Sequence, residues 1–252
     1  KSSFVGDESL MIKKNFPENI VAVDHSRVNG VLNLMDKFED IDCILLDDAY
    51  QHRSIKPGLN ILLVDFNRPI FSDALLPVGE LRESRKNKDR ADLVIVTKCP
   101  EKLTQTEGKS FSNKLNVACD IYFTYLKYDG IRSIFNNEEK DISYLNDKKI
   151  ILVTGIANQS QIITFLENLN CTILNHKYAD HYKYKEEDIN LILSSYKDNQ
   201  DAIILTTEKD AQKLEEFNEL ISAPLFFLKL SIDFHWNKDK FDKKIIEYAR
   251  GN

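Results

Sequence analysis

Six short aliphatic runs, Ile20–Val23, Cys43–Leu46, Ile61–Val64, Leu93–Val96, Ile150–Thr154 and Ile203–Thr206, recur along the chain with segments of helical period between them. That alternation predicts an α/β fold, a parallel sheet with crossover helices. Most of the runs are apolar on both faces, as strands covered by helices on either side should be. Between the first two, Val28, Leu32, Met35 and Phe38 recur at helical spacing behind Ser26, predicting a capped helix packed into the core.

Two stretches break the pattern. Residues 121–128 and 225–234 alternate and are rich in aromatics, which predicts an antiparallel pair. A strand–helix–helix–strand–helix unit lies between them. The expected organisation is therefore a main domain at 1–120 and 235–252, a two-stranded linker at 121–128 and 225–234, and a smaller α/β domain at 146–224. A final helix near Lys238–Arg250, with Phe241, Ile245 and Tyr248 on one face, returns to the main domain.

The 252 residues allow one or two domains at roughly 150 residues each. No apolar run approaches the roughly 18 residues that span a bilayer. The net charge of −6 argues against nucleic acid as a partner. Basic residues do cluster at Arg82, Arg85, Lys86, Lys88 and Arg90, either as a solvated helix face or as a hold for a small anion. The four cysteines form no CxxC pair, and Cys43 and Cys119 sit in apolar blocks, so buried free thiols in a reducing cytoplasm are expected.

The strongest local signal is Leu46-Asp47-Asp48-Ala49-Tyr50-Gln51-His52. Paired acids after an apolar run suit Mg²⁺ at the ligand-binding edge of a parallel sheet, the alternative being a turn cap. Asp7 and Glu8 open a short amphipathic segment, where an acid either caps a helix or takes a proton from a hydroxyl. Residues 75–83 combine a Pro-Val-Gly turn with Arg82 and Glu83, a phosphate brace and a possible metal ligand, or else a surface ion pair. Gly155 and Asn158 follow one strand, and Thr207, Glu208, Lys209 and Asp210 follow another, at junctions that bind ligands or cap helices. Asp180-His181-Tyr182 sets a carboxylate beside an imidazole in a loop. Gly108-Lys109-Ser110 is expected to be a surface turn, since no strand leads into it.

Taken together, Val5-Gly6-Asp7-Glu8, Leu46 to His52, Leu75 to Glu83, Ala91-Asp92-Leu93-Val94, Thr154 to Asn158, Asp180-His181-Tyr182 and Thr207 to Asp210 resemble the tetraacyldisaccharide 4'-kinases of Gram-negative bacteria, along essentially the whole chain. The resemblance implies a phosphate-loop-kinase-like parallel sheet domain plus a smaller inserted α/β/α domain, joined by a two-stranded antiparallel linker. It implies transfer of the γ-phosphoryl group of ATP, with Mg²⁺, to the 4'-hydroxyl of a lipid A disaccharide precursor at the cytoplasmic face of the inner membrane. No obligate protein partner is implied.

Residue by residue, the resemblance makes Asp7 and His181 a dyad that activates the sugar hydroxyl from opposite domains, with Arg82 stabilising the transferring charge. It places Asp47, Asp48, Gln51, His52, Gly155, Asn158, Thr207, Glu208, Lys209 and Asp210 at the nucleotide, and Glu8, Asp47, Asp48 and Glu83 near the metal. The chain departs from the family pattern at Ala49-Tyr50 and Ser9. The glycine-rich phosphate loop and a membrane-seeking helix are expected before Lys1, so little activity is expected of these 252 residues alone. Rival readings are a metal-dependent hydrolase using Asp24, His25, Asp47, Asp48, His52, Asp180 and His181, and a non-catalytic nucleotide-binding module.

Overall fold

The computed structural model describes residues 7–136, 138–180 and 182–251, with the side chains of Asp7 and Glu8 left out of the description. Two compact units emerge. One takes in the chain up to Val21 and Tyr128–Ser231; the other takes in Ala22–Lys127 and the C-terminal segment from Ile232. The N-terminal segment thus groups with Asp180, whereas the resemblance puts Asp7 in the opposite domain.

In the unit containing Tyr128–Ser231, β5 (Lys149–Thr154) lies between β6 (Thr172–Lys177) and β7 (Ile203–Thr207), parallel to both, and β7 pairs in parallel with β8 (Leu225–Phe234). Strict alternation divides the strand side chains between two cores. On one face Ile151, Val153 and Ile204 pack with Ile189 and Ile192 of α5 (Glu186–Asp198) and Ala211 and Leu214 of α6 (Glu208–Leu214). On the other, Ile150, Leu152 and Leu205 pack with Ile162 and Leu166 of α4 (Ser160–Asn168). Helix α1 (Asp7–Asn15) lies against α6, with Lys14 Nζ 2.6 Å from Glu215 Oε2 and Asn15 Nδ2 donating to Glu208 Oε1 at 2.8 Å.

The other unit contains β1 (Ile61–Asp65) and β2 (Leu93–Thr97), which are parallel, and the first part of β3 (Asp120–Ser133), which runs parallel to β2. Val64, Val94, Val96 and Phe123 pack against Phe111 and Leu115 of α3 (Gln105–Leu115) and against Trp236. Helix α7 (Lys238–Ala249) sets Phe241 edge-on to Tyr122 at 5.1 Å. β3 and β8 are neighbours and antiparallel, as the bonds from Ile134 N to Leu225 O (3.2 Å) and from His235 N to Phe123 O (2.9 Å) require. The two-residue β4 (Glu139–Lys140) folds back antiparallel on β3.

Several expectations are corrected. Ile20–Val23 and Cys43–Leu46 are not strands, because no described strand supplies the ladder that would define them, and Leu45 stands 89% exposed. Helix α2 (Arg27–Lys37) has its expected cap, Ser26 Oγ accepting from Asn29 N, but it buries no residue. Leu32, Met35 and Phe38 are exposed, since no described element covers their face. Cys43 is exposed rather than buried, and Cys119 is only half-buried. Strand β6 went unforeseen. Gly108 is not in a surface turn but inside α3, where an added Cβ would stand 3.0 Å from the Trp236 ring.

Two consequences are measurable. Gly108→Val should lower stability by about 1–3 kcal/mol through overpacking against Trp236, while in Gly108→Ala about 1 kcal/mol of helix propensity offsets the milder crowding; thermal melts of the two variants give the order. Burial lowers the pKa of His176, whose Nε2 lies 2.9 Å from Ser195 Oγ. Below the ordinary value near 6.5 the unfolded chain therefore takes up a proton that the folded chain resists, and stability falls with pH. His235, also lowered by burial, has the same sign. Denaturant titrations on either side of that value should show a smaller pH effect in His176→Gln than in the parent.

Candidate active site

In the unit spanning Ala22–Lys127, Asp47 and Asp48 occupy an exposed turn. Asp48 adopts φ 45°, a left-handed conformation that Asp tolerates, and its N–H donates to Asp47 Oδ1 at 2.9 Å. Arg82 reaches this turn, its Nη1 lying 3.4 Å from both Asp48 Oδ2 and Gln51 Oε1. Asp48, Gln51 and Arg82 are thus brought together. His52 follows, its N–H donating to Ala49 O.

The loop that carries Arg82 is built around Asp73 and Gly79. Asp73 Oδ1 accepts from Ala74 N at 2.8 Å and Glu80 N at 3.1 Å. Those amides, Glu80 first, hold its carboxyl below the usual carboxylate range. Leu81 N donates back to Ala74 O, and a side chain at Gly79 would run into Ala74 O and Asp73 Oδ1. Glycine is required by this close approach.

Glu83 turns the other way. Both its oxygens accept from Arg90 Nη2, at 2.8 and 2.9 Å, and Oε2 also accepts from Asn87 Nδ2 at 2.6 Å. Arg90 lies 4.6 Å over the Tyr50 ring, and the Tyr50 hydroxyl donates to Asn87 O at 2.7 Å. Neighbouring cations are engaged as well, Arg85 with Asp73 O and Lys88 with Asp89 and Asn116 O. Sequence reading did not single out the Tyr50–Arg90–Glu83–Asn87 bracket.

The remaining candidates lie in the other unit, around the carboxyl ends of β5, β6 and β7. Asn158 Oδ1 accepts from Ser160 N at 2.9 Å at the start of α4, and Thr207 Oγ1 accepts from Asp210 N at 3.1 Å at the start of α6. Thr207 therefore caps α6, while Asn158 closes the turn just ahead of α4. Glu208 is engaged with Asn15, and Lys209 Nζ lies 3.3 Å from Asp180 Oδ1. Asp210 is fully buried, and its Oδ2 accepts from Gly155 N at 2.8 Å. The side chains of Asp7 and Glu8, and all of His181, lie outside the described residues.

The donor chemistry suits Mg²⁺ at Asp47 and Asp48, hard carboxylates of the kind that share the ion with nucleotide phosphates. Glu83 fits poorly, because both its oxygens are taken. Among the described residues no three or more of His, Cys, Asp and Glu converge as a metal cluster.

A mostly parallel α/β sheet, with paired acids and an arginine in one unit and strand–turn–helix junctions in the other, belongs to the phosphate-loop-kinase-like class of phosphotransferases. Residues 1–250 match the family model of tetraacyldisaccharide-1-P 4'-kinase. The tetraacyldisaccharide 4'-kinase of Bacteroides fragilis is 36% identical over 98% of this chain and 70% of that protein. That of Flavobacterium psychrophilum is 36% identical over the whole of this chain and 72% of that protein. The crystal structure of LpxK from Aquifex aeolicus in complex with ATP matches with a TM-score of 0.70 at 25% identity, covering 97% of this chain and 69% of that one. The chain belongs to the tetraacyldisaccharide-1-P 4'-kinase family and is a kinase.

Gly79→Ala should force the Arg82 loop open and reduce kcat/KM by roughly 10-fold or more. Steady-state kinetics on the full-length enzyme check this, and parental values would show that the loop geometry is not needed.

Proposed function

We propose that the chain transfers the γ-phosphoryl group of ATP to the 4'-hydroxyl of tetraacyldisaccharide 1-phosphate. The observation that carries this reading is the family match along residues 1–250; the gathering of Asp48, Gln51 and Arg82 supports it. Family membership favours it over the hydrolase and binding-module readings.

In this reading the bond from the sugar oxygen to the γ-phosphorus forms as the bond to the β–γ bridging oxygen breaks, and ADP leaves. The hydroxyl proton passes to the dyad of Asp7 and His181. Arg82, freed from Asp48, holds the γ-phosphoryl oxygens as charge moves across them. Asp47 and Asp48 would hold Mg²⁺, which supplies charge neutralisation at the phosphates. Glu83 fixes the Arg82 loop through Arg90 instead of ligating the metal. Gln51 and His52 line the phosphate region, while Gly155, Asn158, Thr207, Glu208 and Lys209 form the edge that faces the nucleotide.

The domain assignment belongs to this proposal: a main domain at 1–120 and 235–252, the linker strands, and a smaller domain at 146–224, with the segment up to Val21 grouping with the smaller one in the structure. So does location at the cytoplasmic face of the inner membrane, where the acylated substrate resides. No helix among the described residues is long and apolar enough to cross a membrane.

Asp7→Ala and His181→Ala in the full-length enzyme should each lower kcat by roughly 10²–10⁴ with smaller changes in KM; near-normal kcat in both refutes the dyad. Asp47→Asn and Asp48→Asn should raise the Mg²⁺ concentration needed for half-maximal rate, and isothermal titration of Mg²⁺ with the ATP complex gives a readout independent of turnover. Unchanged Mg²⁺ dependence in both variants removes the metal assignment.

A further inference from the structure

Arg82 and the acid turn meet at one point, and a single guanidinium stands behind both. Tyr50 is the residue before Gln51 and the second after Asp48, while Glu83 is the residue after Arg82. Arg90 touches each of them. Its guanidinium lies 4.6 Å over the Tyr50 ring, and its Nη2 donates to both Glu83 oxygens, at 2.8 and 2.9 Å. Asn87 closes the same bracket, its Nδ2 donating to Glu83 Oε2 at 2.6 Å and its carbonyl accepting from the Tyr50 hydroxyl at 2.7 Å. Burial raises the Tyr50 pKa, so that hydroxyl keeps the proton it donates.

The bracket stands on a firmly held piece of chain. Arg90 ends a 3₁₀ turn, Arg85–Arg90, that leads directly into β2, whose Leu93 and Val94 are fully buried. On the way, Asp92 Oδ2 accepts from Asn60 N at 2.7 Å and Asp92 N donates to Asn60 O at 2.9 Å, which ties the turn to the residue just ahead of β1. Arg82 and Asp48 are themselves exposed, and a contact of 3.4 Å between them holds neither in place. Their order has to come from the residues behind them.

We infer that Arg90 is a positioning residue for Arg82: by gripping Tyr50 on one side and Glu83 on the other, it sets the spacing between Arg82 and the turn of Asp48 and Gln51. This rests on the reading of Arg82 as the group that meets the γ-phosphoryl oxygens. A direct hold on a phosphate would be a different role, and it would require Arg90 to release both Glu83 oxygens and leave that carboxylate half-buried without its cation. A merely stabilising ion pair would need Glu83 alone. The contact with the Tyr50 ring, which joins the acid turn to the same cation, is what positioning adds.

The test is a set of double-mutant cycles in the full-length kinase, with ATP and the tetraacyldisaccharide 1-phosphate as substrates and thermal unfolding as the control for folding. Arg82→Ala should lower kcat by roughly 10²–10³-fold. Arg90→Ala should lower kcat by roughly 10–10²-fold and leave KM for ATP within about twofold. Arg90→Lys keeps a charge opposite Glu83 but not the planar group that spans from Tyr50 to Glu83, so it answers the question if Arg90→Ala does not fold; its kcat should fall by about 3–10-fold. Repeated in an Arg82→Ala background, each Arg90 change should cost less than about twofold further, because the group being positioned is already gone. Losses of equal size in both backgrounds, a rise in KM for ATP in place of a fall in kcat, or parental kcat in Arg90→Lys overturns the inference. A near-parental Arg82→Ala overturns both the reading of Arg82 and the inference, whereas a severe Arg82→Ala with additive Arg90 losses overturns the positioning role alone.

Discussion

The parallel pairing of β5 with β6 and β7 is the constraint on which the rest of its unit depends. Parallel neighbours cannot be joined by a tight turn, so each strand hands over to a helix that must cross back. All three strands then end at one edge. Their faces are apolar on both sides, with Ile151, Val153 and Ile204 on one and Ile150, Leu152 and Leu205 on the other, so the helices are held by burial. Polar groups are left to the ends. That is why Thr154, Gly155, Tyr178, Thr207 and Asp210, scattered over 57 positions of sequence, come within hydrogen-bonding reach of one another.

In the other unit, turn chemistry replaces sheet edge as the organising element, and exposure separates two ion pairs by role. Asp48 and Arg82 sit 3.4 Å apart with side chains 74% and 62% exposed. A pair so exposed adds little to stability, so in the proposed reaction an incoming phosphate would displace Asp48 at little cost. Glu83 and Arg90 are less exposed, share two short hydrogen bonds and are flanked by Tyr50 and Asn87. Breaking them would leave a half-buried guanidinium without its carboxylate. One pair is suited to exchange partners and the other to hold the loop still, although Arg82 and Glu83 are adjacent in sequence.

The sequence made the central strands legible because they are uniformly apolar, and Ile61, Leu93, Ile150 and Ile203 all start strands or stand at their second residue. β6 escaped because Thr172–Lys177 interleaves Asn and His with its aliphatics, as a strand with a single neighbour can. Ile20–Val23 and Cys43–Leu46 have strand-like composition but no ladder partner, and composition carries no information about partners. Gly108 misled for a related reason. Glycine in a polar run reads as a turn, whereas here it makes room in a helix for Trp236, 128 residues away in sequence. Within Thr207 to Asp210, the Thr-x-x-Asp spacing does signal a cap, but no local pattern distinguishes the fully buried Asp210 from the more open Glu208.

That distinction bears on how the edge works. Among the described residues Asp210 Oδ1 has no hydrogen-bond partner, which is costly in the interior, and the 3.8 Å gap to Lys213 is too long for a hydrogen bond to offset it fully. An apolar side chain of similar size would fill the same space without that penalty. It would leave Gly155 N without an acceptor, however, and would remove a group shared by the β5 turn and the start of α6. The cost of Asp210 therefore sits at the point where rigidity is hardest to obtain by apolar packing: a place where three strands have ended and backbone N–H groups face one another across loops. A buried acceptor constrains both the distance and the direction of its donors, as Asp210 Oδ2 does with its two 2.8 Å bonds, whereas apolar contact constrains distance but not direction.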